Sequence, residues 1–182
     1  MKKIPLVLAF LILCLPPSLS ADEEGGYRKE VKDRVEAHRQ QQKQENKAFR
    51  QSLHQSEMDE NQKAAAYKAH RQEQYSENAA FREQLYKERV AHVQGNDKLT
   101  DEQKQAVLAH IETQHRENVP FREQQRQENL NLFDELAATP GLTKEQRKAA
   151  VRKHRETQKQ ENQQHRQTQR EENKAFRQSI RK

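Results

Sequence analysis

The segment from His70 to Arg82 reads HRQEQYSENAAFR, and its skeleton is His70, Gln74, Glu77, Asn78, Phe81 and Arg82. The skeleton recurs along the chain. His38, Gln42, Glu45, Asn46, Phe49 and Arg50 form one copy, and His110, Gln114, Glu117, Asn118, Phe121 and Arg122 form another. A further copy begins at His154 with Gln158, Glu161 and Asn162, and ends on His165 where the others carry Phe. His165 also starts a fifth copy, through Gln169, Glu172, Asn173, Phe176 and Arg177. From Phe121 the pattern continues through Gln125, Glu128, Asn129 and Leu132. The underlying period is therefore eleven residues, or three helical turns. Positions 0, 4, 7 and 11 fall within about 60° of one another on a helix of 3.6 residues per turn. An eleven-residue repeat favours nearly straight or slightly right-handed helices over a left-handed coiled coil. The predicted fold class is all-α: elongated helical hairpins, or a bundle, built from amphipathic repeats.

Composition agrees with long helices and thin apolar seams. Hydrophobic residues make up 31% of the 182, charged residues 34%, and there is no Trp. A compact globule has about 45–50% apolar residues, so a thick core is excluded. Gln, Glu, Lys, Arg and Ala dominate, and all are good helix formers. Helix starts are marked by LTDEQ at 99–103, where Thr100 caps and Gln103 completes a capping box, and by LTKEQ at 142–146, with Thr143 and Gln146. MDENQ at 58–62 is related, with Asp59 as the cap. Turn signals precede the two LT segments at 94–98 and 138–141. The expected helices span about 27–55, 59–93, 100–118, 120–137 and 143–179, with Pro120 starting a new helix or kinking a running one.

Residues 1–20 are of another kind. A basic MKK, the apolar run IPLVLAFLILCL and the PPSLSA segment read as a secretory signal peptide, too short for a membrane span of about 20 residues. The mature chain is then 21–182, exported to the periplasm and without a membrane span. Cys14 is the only cysteine, so the mature chain has no disulfide and no thiol chemistry. Without Lys2 and Lys3 its net charge is +4, too mild to argue by itself for a nucleic-acid partner.

Little catalytic chemistry is visible. Gly occurs only four times, no phosphate loop or nucleophile elbow is present, and carboxylates are scattered over solvated faces. No enzyme and no cofactor are expected. The His and Glu of one repeat lie seven residues, about 10.5 Å, apart along a helix, too far to share an ion bound at about 2 Å. No metal site is therefore expected. The alternative, a zinc- or nickel-responsive periplasmic protein, would draw on His70 and His110 from different helices. Phe49, Leu53, Phe81, Leu85 and Phe121, edged by Arg50, Arg82 and Arg122, are better candidates for a partner-binding surface, because accessible apolar patches rimmed with charge mark interaction sites. Tyr86, Leu132 and Phe133 extend that thin layer. The same Phe–Arg pairs would suit stacking and phosphate contacts, but export removes most nucleic acid and none is expected as partner.

Leu99–Gln103 and Leu142–Gln146, each opening a charged helix behind a signal peptide, resemble the LTxxQ motifs of the Spy/CpxP family of periplasmic proteins, mainly across 99–160. The resemblance implies a small, all-helical, cradle-shaped dimer. It further implies an ATP-independent chaperone or an envelope-stress regulator that binds unfolded or sensor proteins. Of that family's motif, Leu99, Thr100, Gln103, Leu142, Thr143 and Gln146 are matched, and their implied role is structural. The alternative to a binding function is a structural scaffold of helical repeats.

Overall fold

The structure is a computed structural model that describes residues 21–139 and 141–180. The expected signal peptide lies outside them. Among the described residues there are four α-helices: α1 (Ala21–Gln55), α2 (Glu60–Gln94), α3 (Asp101–Ala138) and α4 (Lys144–Ser179). None is long and apolar enough to cross a membrane. The all-helical fold class is thus observed, with one difference in segmentation. The two helices expected at 100–118 and 120–137 are a single helix, α3, with Pro120 inside it. A proline removes one N–H from the ladder and crowds the preceding turn. Here the strong formers on both sides carry the helix through.

Three capping boxes open the last three helices. Thr100 accepts a hydrogen bond from the Gln103 N–H at 3.2 Å, and the Gln103 side chain accepts one from the Thr100 N–H at 3.1 Å. Thr143 with Gln146 and Asp59 with Gln62 repeat this reciprocal pair. Each box satisfies two N–H groups that an uncapped helix start would leave without partners. Gly141 adopts a left-handed backbone, φ 89°, between α3 and α4, a conformation that side chains with a Cβ rarely take. Arg147 braces that corner by donating to the Leu136 carbonyl at 2.8 Å.

The helices form a serial antiparallel layer. α1 packs on α2, α2 on α3 and α3 on α4, with no α1–α4 packing among the described residues. The central seam, α2 with α3, is apolar. Val93, Leu99, Val107 and Ile111 form its core, and Tyr86, Val90, Leu108 and Phe176 pack against them. Leu99 of the first LT segment is only 5% exposed there, so this leucine anchors the α2–α3 turn by burial.

The two outer seams are built differently. Each alternates stacked rings with hydrogen-bonded amides. In α1–α2, Tyr27 stacks on His92, His38 on Phe81 and Phe49 on His70, with ring centroids 3.9–4.1 Å apart. The residue numbers of each pair add to 119, the mark of one antiparallel register. In α3–α4, His110 stacks on Phe176 and Phe121 on His165, both at 4.1 Å, and these numbers add to 286. The same register sets Leu132 opposite His154.

Between the rings lie the amides. Asn46, Asn78, Asn118, Asn129 and Asn162 each donate from Nδ2 to the carbonyl four residues earlier in their own helix. That local bond orients the side chain and leaves Oδ1 of Asn78, Asn118 and Asn129 facing His38, His165 and His154, at 3.0–3.2 Å. Asn78 also donates to Gln42 at 2.8 Å, and Asn46 to Gln74 at 2.9 Å. Buried polar groups are costly unless so bonded, which explains why His, Gln and Asn recur together at fixed offsets.

Candidate functional site

The antiparallel layer curls. Side chains from all four helices line one long groove of about 3530 Å³. Its chemistry follows from the repeat. The stripe Phe enters an outer seam against a His. The next residue, always Arg, is rotated about 100° around the helix. Arg50, Arg82, Arg122 and Arg177 accordingly all line the groove, whereas Phe49, Phe81 and Phe176 do not.

The eight candidate binding residues are thereby sorted. Leu85 is 3% exposed, inside the layer. Phe49 and Phe81 are held against His70 and His38, and Leu53 is half-buried off the groove. Phe121 does both things: it stacks on His165 and borders the groove. Only Arg50, Arg82, Arg122 and Phe121 of the eight face it. The apolar strip expected from the sequence is consumed by the fold, because the apolar rings satisfy the histidines of the neighbouring helix. Leu99, Thr100, Gln103, Leu142, Thr143 and Gln146 stand at the helix starts, away from the groove lining.

The groove is strongly basic. Nineteen of its lining residues are Lys or Arg and four are Glu, from a chain holding 34 basic and 28 acidic residues. The overall charge of the chain conceals this, because most of the acids face elsewhere. Helix α4 contributes a stripe that its sequence carried openly. Lys144, Arg155, Arg166 and Arg177 recur every eleven residues, and Lys148, Lys159 and Arg170 repeat the same spacing four residues on. The same period that aligns a seam must also align any charge placed at a constant offset from it.

Crowding cations at partly buried positions moves their proton affinities. Burial pushes the Arg122 guanidinium down to about 10, and the nearby Arg82 adds to that fall. Burial also lowers Arg82 itself, and burial with Arg170 lowers Arg166. All stay cationic at neutral pH. His165 is pushed below the ordinary histidine value, chiefly by burial and then by Arg122, against an opposing effect of Glu117. In the unfolded chain His165 has its ordinary value of 6.5 and takes up a proton first as the pH falls. Stability is therefore full above that value and declines as the pH drops through it toward the lower folded value. Replacing His165 by Gln should flatten this acid-side decline, read by urea unfolding on both sides of pH 6.5. An unchanged slope would assign the decline to other groups.

The histidines offer little to a metal ion. His70 stacks on Phe49 in the first hairpin, and His110 stacks on Phe176 in the second. Among the described residues no cluster of three or more His, Cys, Asp or Glu has the geometry to hold one. What the groove can do is attract and grip an anionic surface over most of its length. No protein-family model matches the chain, and comparison with curated proteins and with solved structures finds no match.

Proposed function

We propose that this chain is a non-catalytic binding protein that holds an acidic protein segment in its basic groove. The mode is stoichiometric and ATP-independent, the mode that a likeness to the Spy/CpxP proteins implies for an exported chaperone or stress regulator. The observation that carries the reading is the excess of nineteen Lys and Arg over four Glu in the groove lining. Cations gathered in a concavity focus the field and speed encounter with an anionic partner. The apolar rings are already taken by the outer seams, so adhesion comes from charge-assisted hydrogen bonds more than from hydrophobic contact.

The test is light scattering from chemically denatured clients, one of net negative and one of net positive charge, in the absence of ATP. Suppression is expected for the acidic client alone, and it should fade at about 0.5 M salt, where the Debye length falls to a few ångströms. Equal protection of the basic client, or no protection at several-fold molar excess, rejects the proposal. Displacement of the acidic client by substoichiometric single-stranded oligonucleotide would reassign the groove to nucleic acid.

A further inference from the structure

Most cations of the groove have a carboxylate or an open, hydrated position. Arg82 on α2 and Arg122 on α3, and with them Arg166 on α4, are different; the first two belong to the central α2–α3 seam. Both are partly buried on the floor of the groove, and neither makes a hydrogen bond or ion pair among the described residues. The acids that follow them in sequence are committed elsewhere. Glu83 meets His115 at 3.3 Å and Lys87 at 3.7 Å, and Glu123 is held in a fork by Arg126.

The α2–α3 register places the two arginines together. Tyr67 meets Phe133, and Tyr86 meets His115, in antiparallel order along the seam. That order sets Arg82 near Val119, which also lines the groove. Arg122 follows one turn later on the same face of α3. The proton affinity of both is lowered by burial, and that of Arg122 also by Arg82, which describes two desolvated positive charges with no counter-charge among the described residues.

We propose that Arg82 and Arg122 form a subsite for one doubly charged oxyanion, a phosphate or sulfate group, bridged by the two guanidinium forks. The forks present paired N–H donors to oxygen acceptors, and guanidinium matches tetrahedral oxyanions in a bidentate fashion. Two unit charges are balanced by one dianion, whereas a single carboxylate leaves one of them uncompensated. The subsite rests on the groove being the binding face of the molecule, and it names the group that face reads. The group can be free in solution or borne on a partner chain.

The experiment is isothermal titration of the mature full-length chain with orthophosphate, in chloride buffer of matched ionic strength at neutral pH. Wild type should bind with one site, and Arg82→Gln and Arg122→Gln should each weaken binding by about tenfold or more, as expected for loss of a charge-assisted pair. Arg50→Gln, on an exposed position of the same groove, should change it by about twofold or less, the scale of diffuse screening. Arg82→Lys, which keeps the charge, separates loss of the site from loss of folding, and circular dichroism of each variant checks the helices. Equal weakening by all three Gln substitutions means diffuse attraction and overturns the subsite. Failure of phosphate to compete over chloride does so too.

A second arm distinguishes the source of the group. A Glu-rich peptide carrying one phosphoserine is compared with its unmodified form. A preference for the modified peptide that disappears in Arg122→Gln marks a group borne on a chain, and tight orthophosphate binding without that preference marks the free ion. The two proposals fail separately. Acidic clients held equally by wild type and Arg122→Gln keep the groove and remove the subsite, and phosphate binding without client protection does the reverse.

Discussion

Replacing Ile111 by Ala is expected to lower the unfolding free energy by about 2–5 kcal/mol, the range for deleting a buried Ile side chain. Ile111 is 1% exposed and sits between Val107 of its own helix and the α2 side chains Val90 and Val93. Seven apolar side chains are buried among the described residues, so little other apolar surface can compensate. Domains of this size are stable by about 5–15 kcal/mol in total, and the lost fraction is correspondingly large. The central seam also joins the two hairpins. Its weakening should therefore lower both the urea midpoint and the cooperativity of unfolding, followed by circular dichroism. A loss below about 1 kcal/mol would show that the polar outer seams, and not this core, dominate stability.

The second large effect is expected in an outer seam. Asn78 is 5% exposed, donates to Gln42 and to its own helix, and faces His38 through Oδ1. Asn78→Leu should destabilise the chain by about 1–3 kcal/mol, because Gln42 and His38 lose their partner inside the layer. Gln42 is itself 2% exposed, so water is slow to replace the lost bond. The double variant Gln42→Leu with Asn78→Leu removes both polar ends together. It should recover part of the loss, giving a coupling energy of about 1 kcal/mol in the double-mutant cycle. Strict additivity would mean that the amide pair contributes no more than its separate packing.

These two sites show why the chain can manage with so few apolar residues. The outer seams use imidazole rings as flat packing surfaces and let asparagine occupy the polar edge of the His38, His110, His154 and His165 rings. In three of the His–Phe stacks across α1–α2 and α3–α4, those of His38, His110 and His165, the bond to Asn keeps the imidazole nitrogen from being stranded, whereas His70 Nε2, stacked on Phe49, has no hydrogen-bond partner among the described residues. This arrangement also explains why the candidate apolar surface and the candidate basic surface part company. Phe49 and Arg50 are neighbours in sequence, yet one closes a seam and the other lines the groove.

Helix identity, capping and the spacing of the seam residues could all be read from the chain alone. They depend on interactions within about four residues: helix propensity, the reciprocal bonds of Thr100 with Gln103, and the angular arithmetic of His70, Gln74, Asn78 and Phe81. At Pro120, where the sequence allows either a new helix or a kink in a running one, α3 continues, since a proline weakens a helix without obliging it to end. What only the tertiary structure decided was which stripes meet. An amphipathic face states that something will cover it, but not whether a ring of the next helix or a partner does so. The antiparallel registers settled this by placing Phe81 on His38 and Phe176 on His110. Curling of the four-helix layer then gathered Arg50, Arg82, Arg122 and the α4 stripe on one concave side, a charge excess that depends on three-dimensional placement and leaves no trace in the net charge.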